Sequence, residues 1–156
     1  MKYLVLSDIH GSLHYAKKIE EIINKESPEK IVLLGDLYYH GPRNPLTEEY
    51  APKEVADILN SYKDKILAVR GIGEKKFLFT HGHKFNIDFW PNEDFDVLVY
   101  GHFHTGFIKE FEGKLFVNAG SISLPKNGTE NSYLIIDETK ISLKNVNGNL
   151  IDEIGF

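Results

Sequence analysis

The sequence of 156 residues contains no cysteine, so disulfide bonds, thiolate metal sites and cysteine nucleophiles are excluded. The absence of cysteine is typical of proteins from a reducing compartment, and we therefore predict a cytoplasmic location. No hydrophobic run approaches the length of a membrane helix, and Met1 and Lys2 lead directly into a predicted strand without a signal-peptide pattern. The net charge of -5 disfavours nucleic acid as a stable partner, because such binding needs a basic surface.

Alternating apolar runs and helical patterns predict a single α/β domain over residues 1–156, long enough to bury a hydrophobic core. Strands joined by helices are predicted in the first two thirds, at residues 3–6, 30–34, 65–69, 76–79 and 96–99. Helices are predicted from the N-cap Ser12 to Lys25 and from Pro52 to about residue 62. From Gly106 onward the pattern changes to antiparallel hairpins, with strands at 107–111, 114–118, 133–136, 140–143 and 150–154.

All but one of the strands predicted in the first two thirds end in aspartate or histidine. The residues at these ends are Asp8, His10, Asp36, His81, His83, His102 and His104. Because the carboxyl ends of parallel strands meet at one edge of a sheet, these side chains are expected to lie together. Any one of the histidines alone is more simply explained as a turn or core residue. Five of the seven histidines, however, fall in three D-x-H or H-x-H motifs, and this pattern predicts a metal centre.

The chemistry of such a centre follows from its ligands. Asp8 and Asp36 would supply two negative charges against the four positive charges of two divalent ions, so the centre would attract a phosphate oxyanion. One carboxylate has to bridge the ions, and Asp36 is the natural candidate. Two ions roughly 3.5–4 Å apart can clamp the attacking and leaving oxygens and lower the pKa of a bridging water. The predicted reaction is therefore in-line attack of metal-bridging hydroxide on phosphorus.

Four blocks of the sequence resemble the signature motifs of the calcineurin-like metallophosphoesterases. They are S-D-I-H-G at 7–11, L-G-D at 34–36, T-H-G-H at 80–83 and G-H-F-H at 101–104, in the family's order. The loop H-G-P-R-N at 40–44 is similar more narrowly to the small bacterial YfcE-type phosphodiesterases. The resemblance implies a four-layer α/β/β/α fold, in which two sheets are flanked by helices. It also implies metal-dependent hydrolysis of a small phosphodiester at a dinuclear site, with manganese as the first expectation and nickel, zinc or iron as alternatives.

The resemblance also implies a role for each motif residue. The ligands implied for the first metal are Asp8, His10, Asp36 and His104. Those implied for the second metal are Asp36, His81 and His102. His83 would lie beside the ligands or face the substrate, and we count His83 and Asp36 as catalytic candidates. Arg43 is open to two interpretations, a phosphate contact or a salt bridge within its loop.

The sequence departs from the family after the third predicted strand. There the family has Gly-Asn followed by His or Cys and an acid, and the Asn is a ligand of the second metal. In this chain Gly71 is followed by Ile72, Gly73 and Glu74. Parallel strands also need a crossover of a dozen or more residues, which 71–75 cannot provide. Either a crossover segment after Gly71 is missing from the sequence, or the chain has lost it together with a complete second metal site. We favour the first explanation because the other ligand positions are intact.

Two other functions remain open. The chain could be a non-catalytic interaction module, as is the retromer subunit that resembles this family, with Phe85, Phe89, Trp90 and Phe95 as an apolar patch. These aromatic residues are more simply explained as a loop packed on the core or on a subunit partner. Metal-dependent hydrolysis of a non-phosphate substrate is a further alternative that nothing in the sequence favours. The expected partner is a small phosphodiester substrate, with no membrane partner, and a homo-oligomer is left open.

Overall fold

Two β-sheets packed face to face form the centre of the molecule. The computed structural model describes residues 1–66 and 75–156. The strands are β1 (Tyr3–Leu6), β2 (Lys30–Leu33), β3 (Phe77–Phe79), β4 (Val97–Tyr100), β5 (Phe107–Phe111), β6 (Lys114–Asn118), β7 (Ser132–Ile136), β8 (Lys140–Asn145) and β9 (Leu150–Gly155). The helices are α1 (Leu13–Glu26) and α2 (Pro52–Ser61), and Lys63–Lys65 form a short 3-10 turn.

The first sheet has the strand order β2-β1-β7-β8-β9, and the second has the order β3-β4-β6-β5. β1 and β2 are parallel, with Tyr3 opposite Lys30, because α1 carries the chain from the end of one strand to the start of the next. β7, β8 and β9 form an antiparallel meander, and β5 pairs with β6 as a hairpin. The predicted two-sheet α/β fold with hairpins in its last third is confirmed. β6 also pairs in parallel with β4, which the hairpin pattern did not predict.

The ends of the two helices are set by local sequence. At the start of α1, Ser12 Oγ accepts a hydrogen bond from Tyr15 N at 3.3 Å, as predicted for an N-cap. The helix ends at Ser27, which has a φ of 49° and donates its N–H to Ile23 O, and Pro28 prevents continuation. α2 begins at Pro52, whose missing N–H is harmless in the first turn of a helix.

Alternate residues of the first sheet pack against different layers. Tyr3 and Val5 face the second sheet and help to fill the core between the sheets. Leu4 and Leu6 face the opposite way and pack with the apolar sides of α1 and α2. Full burial of such a side chain contributes about 1.5–3 kcal/mol, so β1 is fixed from both sides. The residues that follow β1 are thereby held in place.

The outer face of the second sheet is covered by a loop. Trp90 packs on Phe116, with ring centroids 5.2 Å apart, and Phe95 is only 3% exposed. Phe85 and Phe89 stack on each other further out, and Phe89 is 66% exposed. The interpretation of these aromatic residues as a packed loop therefore fits Trp90 and Phe95. Within the described ranges, both α-helices pack on the first sheet.

The third predicted strand, at residues 65–69, falls largely outside the described residues. Ile66 pairs in parallel with Ile31, so it lies beside β2 in the first sheet. Residues 67–74, which include the departure from the family pattern after Gly71, are outside the described residues. In the two described ranges, no helix has the length and apolar character needed to cross a membrane.

Candidate metal centre

The predicted ligands lie together at the carboxyl ends of four strands from both sheets. β1 and β2 belong to the first sheet, and β3 and β4 belong to the second. The loops that follow these four strands carry two groups of side chains. Within each group, the ligand atoms lie within 4.8 Å of one another. One group is Asp8, His10 and His104, and the other is Asp36, His81 and His102. All six residues predicted as metal ligands are therefore in one of the two groups.

The first group is almost completely buried. Asp8 Oδ1 lies 3.2 Å from His104 Nε2 and 3.5 Å from His10 Nε2, and the two Nε2 atoms are 3.2 Å apart. Burial alone would raise the pKa of Asp8, but His10, His104 and the hydroxyl of Ser7 hold it well below its usual range. Asp8 Oδ1 has no hydrogen-bond partner within the described residues. A buried anionic oxygen between two imidazole nitrogens fits a cation-binding position.

Backbone carbonyls orient the two imidazoles of this group. His10 Nδ1 lies 2.7 Å from Tyr39 O, and His104 Nδ1 lies 2.6 Å from Leu124 O. Because a carbonyl oxygen only accepts hydrogen bonds, each Nδ1 carries the proton and each Nε2 presents a lone pair to Asp8. Burial alone would lower the pKa of His10, but Asp8 and the carbonyl of Tyr39 raise it. The position therefore favours positive charge, which a divalent ion would supply.

The second group is more open to solvent. Asp36 Oδ2 lies 3.4 Å from His81 Nε2, and His81 Nε2 lies 3.2 Å from His102 Nδ1. Burial, together with the nearby His81, lowers the pKa of His102, so this ring is neutral near pH 7. The same Asp36 oxygen lies 3.8 Å from His10 Nε2 of the first group. Asp36 therefore faces both groups with one oxygen atom.

Most of these side chains project from an unusual backbone conformation. A positive φ is rare for residues other than glycine and is stabilised only where the surrounding structure imposes it. The predicted ligands in this conformation are Asp8 (φ 56°), His10 (51°), Asp36 (49°), His102 (67°) and His104 (61°). Such residues cluster at functional sites, so the backbone supports the same assignment as the side chains.

Close packing between the two sheets fixes the Asp8 carboxylate. Asp8 Oδ2 accepts hydrogen bonds from Ser7 Oγ at 2.5 Å and from His102 N at 3.0 Å. A Cβ atom at Gly101 would lie 1.9 Å from Ser7 Oγ and 2.7 Å from Asp8 Oδ2. Only glycine fits at this position, because any larger residue would displace the Asp8 carboxylate.

The turn after β6 supports Asp8 from behind. Ser121 Oγ and Ser123 Oγ both donate hydrogen bonds to Asp8 O, at 2.8 and 2.9 Å. Asn118 Nδ2 donates to Gly101 O at 3.0 Å, so the same turn also holds the loop after β4. The two contacts to Asp8 O could not be predicted from the sequence, because each joins residues more than 100 positions apart.

A cleft of about 700 Å³ opens over the two groups, and His10, Asp36, His102 and His104 line part of it. Arg43 lines the same cleft. His83 belongs to neither group but is exposed beside the second, with its ring centroid 5.8 Å from that of His81 and 6.1 Å from that of His102. Lys126 also lines the cleft, and nothing in the sequence pattern predicted it.

The sequence was also compared with known families and proteins. Residues 1–140 match the family described as calcineurin-like phosphoesterase superfamily domain. The phosphodiesterase YfcE of Escherichia coli K12 is 39% identical over 169 aligned positions, which cover 92% of this chain and 91% of YfcE. The probable metallophosphoesterase YsnB of Bacillus subtilis is 30% identical over 99% of this chain and 96% of its own length.

Solved structures give the same result. A structure of E. coli YfcE, described as a phosphoesterase, has a TM-score of 0.92 at 32% identity and covers 99% of this chain and 98% of its own. Wild-type Vps29 from Entamoeba histolytica has a TM-score of 0.61 at 22% identity, covering 99% of each chain, and this likeness shows the fold alone. The family implies divalent metal ions, and the described residues contain two groups of candidate ligands. This chain belongs to the calcineurin-like phosphoesterase superfamily and is a phosphoesterase, an enzyme of the hydrolase class.

Proposed function

We propose that this enzyme is a metal-dependent phosphodiesterase that hydrolyses a small phosphodiester. The observation that most directly supports the proposal is the position of Asp36 Oδ2, 3.8 Å from His10 Nε2 and 3.4 Å from His81 Nε2. A carboxylate that bridges two metal ions has to face both sets of ligands in this way. The names of the relatives also support the proposal, because E. coli YfcE is a phosphodiesterase.

In this proposal Asp36 is shared between two divalent ions. The first ion would be held by Asp8, His10, Asp36 and His104, and the second by Asp36, His81 and His102. Carboxylate and imidazole ligands accept several divalent metals, and manganese is the first expectation, with nickel, zinc or iron as alternatives. Two such ions, when bound, would lower the pKa of a water so that it could serve as the nucleophile towards phosphorus, and would stabilise the negative charge of the phosphate.

The protein's own side chains determine the net charge of the site and the position of the substrate in it. Asp8 and Asp36 contribute two negative charges and the imidazoles contribute none, so the loaded centre stays net cationic and attracts an anionic phosphate. His83 is exposed, and its ring lies beside those of His81 and His102. We place His83 against the substrate, as a hydrogen-bonding group for its phosphate or leaving oxygen.

Turnover of bis(p-nitrophenyl) phosphate with Mn²⁺ tests this function. Asp36→Asn and His81→Ala are each expected to abolish turnover, because each removes a ligand atom from the second group. Asp57→Asn, at an exposed position on α2 outside the salt bridges of the described residues, is the matched control and is expected to keep wild-type activity. Wild-type activity in Asp36→Asn or His81→Ala would contradict the proposal.

We also propose that residues 1–156 form a single domain and that the natural protein contains a crossover segment after Gly71 that is missing from this sequence. The alignment with E. coli YfcE has 169 positions, more than the 156 residues of this chain, so part of YfcE has no counterpart here. Ile66 lies beside Ile31 in the first sheet, whereas Phe77 begins β3 in the second. A strand that ended beside the predicted ligands would need a crossover, usually a helix, to bring the chain back to the start of β3. Such a crossover takes a dozen or more residues, and only residues 67–74 lie between the two described ranges.

An intact mass of the purified protein tests this point against the 17.8 kDa of the sequence. A heavier chain, by about a helix and its loops, would show that the segment exists and would favour a complete second metal site. A mass of 17.8 kDa would contradict the proposal that such a segment exists. Calorimetry should then find at most one tightly bound metal, and turnover should be low. The chain would in that case be studied as an interaction module.

The proposal includes a cytoplasmic location, supported by the cysteine-free sequence and tested by subcellular fractionation.

A further inference from the structure

The cleft over the two ligand groups has more room than a single phosphate needs. Its volume of about 700 Å³ is in the range of pockets that hold a whole small molecule. His10 and His104 are 1% and 2% exposed, so they lie at the bottom of the cleft. Arg43 and Lys126 line the same cleft and are exposed, so these two cations stand nearer to its mouth.

The segment that carries Lys126 is attached directly to a predicted metal ligand. Lys126 N donates a hydrogen bond to His104 O at 2.9 Å. Thr129 closes the turn, because its hydroxyl lies 2.8 Å from Lys126 O and 3.2 Å from His104 O. The backbone of Lys126 therefore has a fixed position relative to the first ligand group.

The segment that carries Arg43 is attached to another predicted ligand. His10 Nδ1 donates to Tyr39 O at 2.7 Å on one side of Arg43, and Thr47 Oγ1 donates to His10 O at 3.0 Å on the other. Within the loop, Asn44 Nδ2 donates to His40 O at 2.9 Å. His10, at the bottom of the cleft, thus holds the loop that carries Arg43 on one side of the cleft.

In the part of the chain that the structure describes, no salt bridge to a carboxylate neutralises the charge of Arg43 or Lys126. Within residues 1–66 and 75–156, neither side chain forms a salt bridge, although many lysines of the chain do. Arg43 and Lys126 thus place two positive charges in one cleft of a chain whose net charge is -5. Together they create a local positive potential that favours an anionic group near the mouth.

We propose that Arg43 and Lys126 bind a second phosphate of the substrate, while the phosphodiester to be cleaved lies at the two ligand groups. This inference rests on the proposed function and narrows the substrate class to phosphodiesters that carry a further phosphate. Guanidinium and ammonium groups are the side chains best suited to phosphate oxygens. The exposed rings of Tyr39 and Phe103 line the same cleft, and such rings stack on nucleobases. A phosphorylated dinucleotide therefore fits both features.

The experiment compares adenylyl-(3′→5′)-adenosine with its 5′-phosphorylated form, in the full chain with Mn²⁺. Chromatography of the products separates cleavage of the diester from loss of the terminal phosphate. The wild-type protein is expected to cleave the phosphorylated form with a kcat/KM at least about tenfold higher, the effect of one hydrogen bond to a charged group. Arg43→Gln and Lys126→Gln should each lower this ratio toward one. Lys53→Gln, at an exposed position on α2 outside the salt bridges of the described residues, should keep it.

The ratio is measured within each variant, so a general loss of folded protein does not affect it. A wild-type ratio near one, or a ratio unchanged in both Arg43→Gln and Lys126→Gln, would overturn the inference while turnover itself still supports a phosphodiesterase. If neither dinucleotide nor bis(p-nitrophenyl) phosphate is cleaved, the proposed function fails. The two dinucleotides are then compared as ligands by calorimetry, where equal affinities would overturn the inference and tenfold tighter binding of the phosphorylated form would support it.

Discussion

Replacing Gly101 by alanine tests how closely the loop after β4 packs against Asp8. The added Cβ would lie 1.9 Å from Ser7 Oγ and 2.7 Å from Asp8 Oδ2, closer than non-bonded atoms approach. Ser7 and Asp8 are 1% and 0% exposed, so neither side chain can move into solvent to relieve the contact. The substitution therefore has to shift the loop after β4 or the end of β1.

The expected effect on stability follows from this overpacking. Forcing extra carbon into a well-packed site destabilises by about 1–3 kcal/mol. For a protein of this size, that corresponds to a fall in Tm of about 2–12 °C. Gly155→Ala in β9 is the matched control, because its Cβ would meet nothing closer than Thr139 O at 3.7 Å. We expect Gly155→Ala to change stability by less than about 1 kcal/mol.

Thermal unfolding with and without Mn²⁺ provides the assay. A metal that binds the folded state at a concentration of 100 times its Kd stabilises that state by about 2.7 kcal/mol. Because Gly101→Ala displaces a predicted ligand, it should lower Tm and also reduce the rise that Mn²⁺ produces, whereas Gly155→Ala should keep that rise. A Gly101→Ala protein with the wild-type Tm and the full response to Mn²⁺ would refute the described packing.

Three further predictions concern other parts of the chain. Asp8→Asn should reduce the rise in Tm that Mn²⁺ produces, because it removes the buried anionic oxygen of the first group, and a full response in differential scanning fluorimetry would count against that role. Burial alone would raise the pKa of Glu26, but Lys144 and Lys2, at 2.7 and 2.8 Å, lower it, so its stabilising effect is present above the ordinary pKa of glutamate and is lost as pH falls through the lowered value. Urea unfolding should therefore show that Glu26→Gln is about 1–3 kcal/mol less stable at neutral pH and that the difference shrinks as pH falls below the ordinary pKa of glutamate, while a constant difference would contradict this linkage. Ser121→Ala removes a donor to Asp8 O and should reduce the free energy of unfolding in urea by about 1–3 kcal/mol, whereas an unchanged value would show that this bond contributes little.

Local patterns in the sequence predicted several elements to the residue. β1, β5 and β6 have the predicted bounds, because apolar runs and turn residues define both ends of each strand. The N-cap at Ser12 and the helix start at Pro52 were predicted for a similar reason, since both depend on the conformation of one or two residues. The parallel pairing of β6 with β4 was not predicted, because its partner lies well before it in the chain and no local signal specifies it.

The sequence by itself determined which residue types stand at the ends of the strands, and the repeated D-x-H and H-x-H motifs were enough to predict the ligand candidates. Only the tertiary structure decided which imidazole nitrogens face inward, since Tyr39 O fixes the ring of His10 through a backbone atom that the sequence does not specify. It also decided that Asp36 lies between the two groups and that Gly101 packs on Asp8. These features depend on how the two sheets pack, which joins residues as distant in sequence as Asp8 and His102, and sequence periodicity describes single elements rather than their packing.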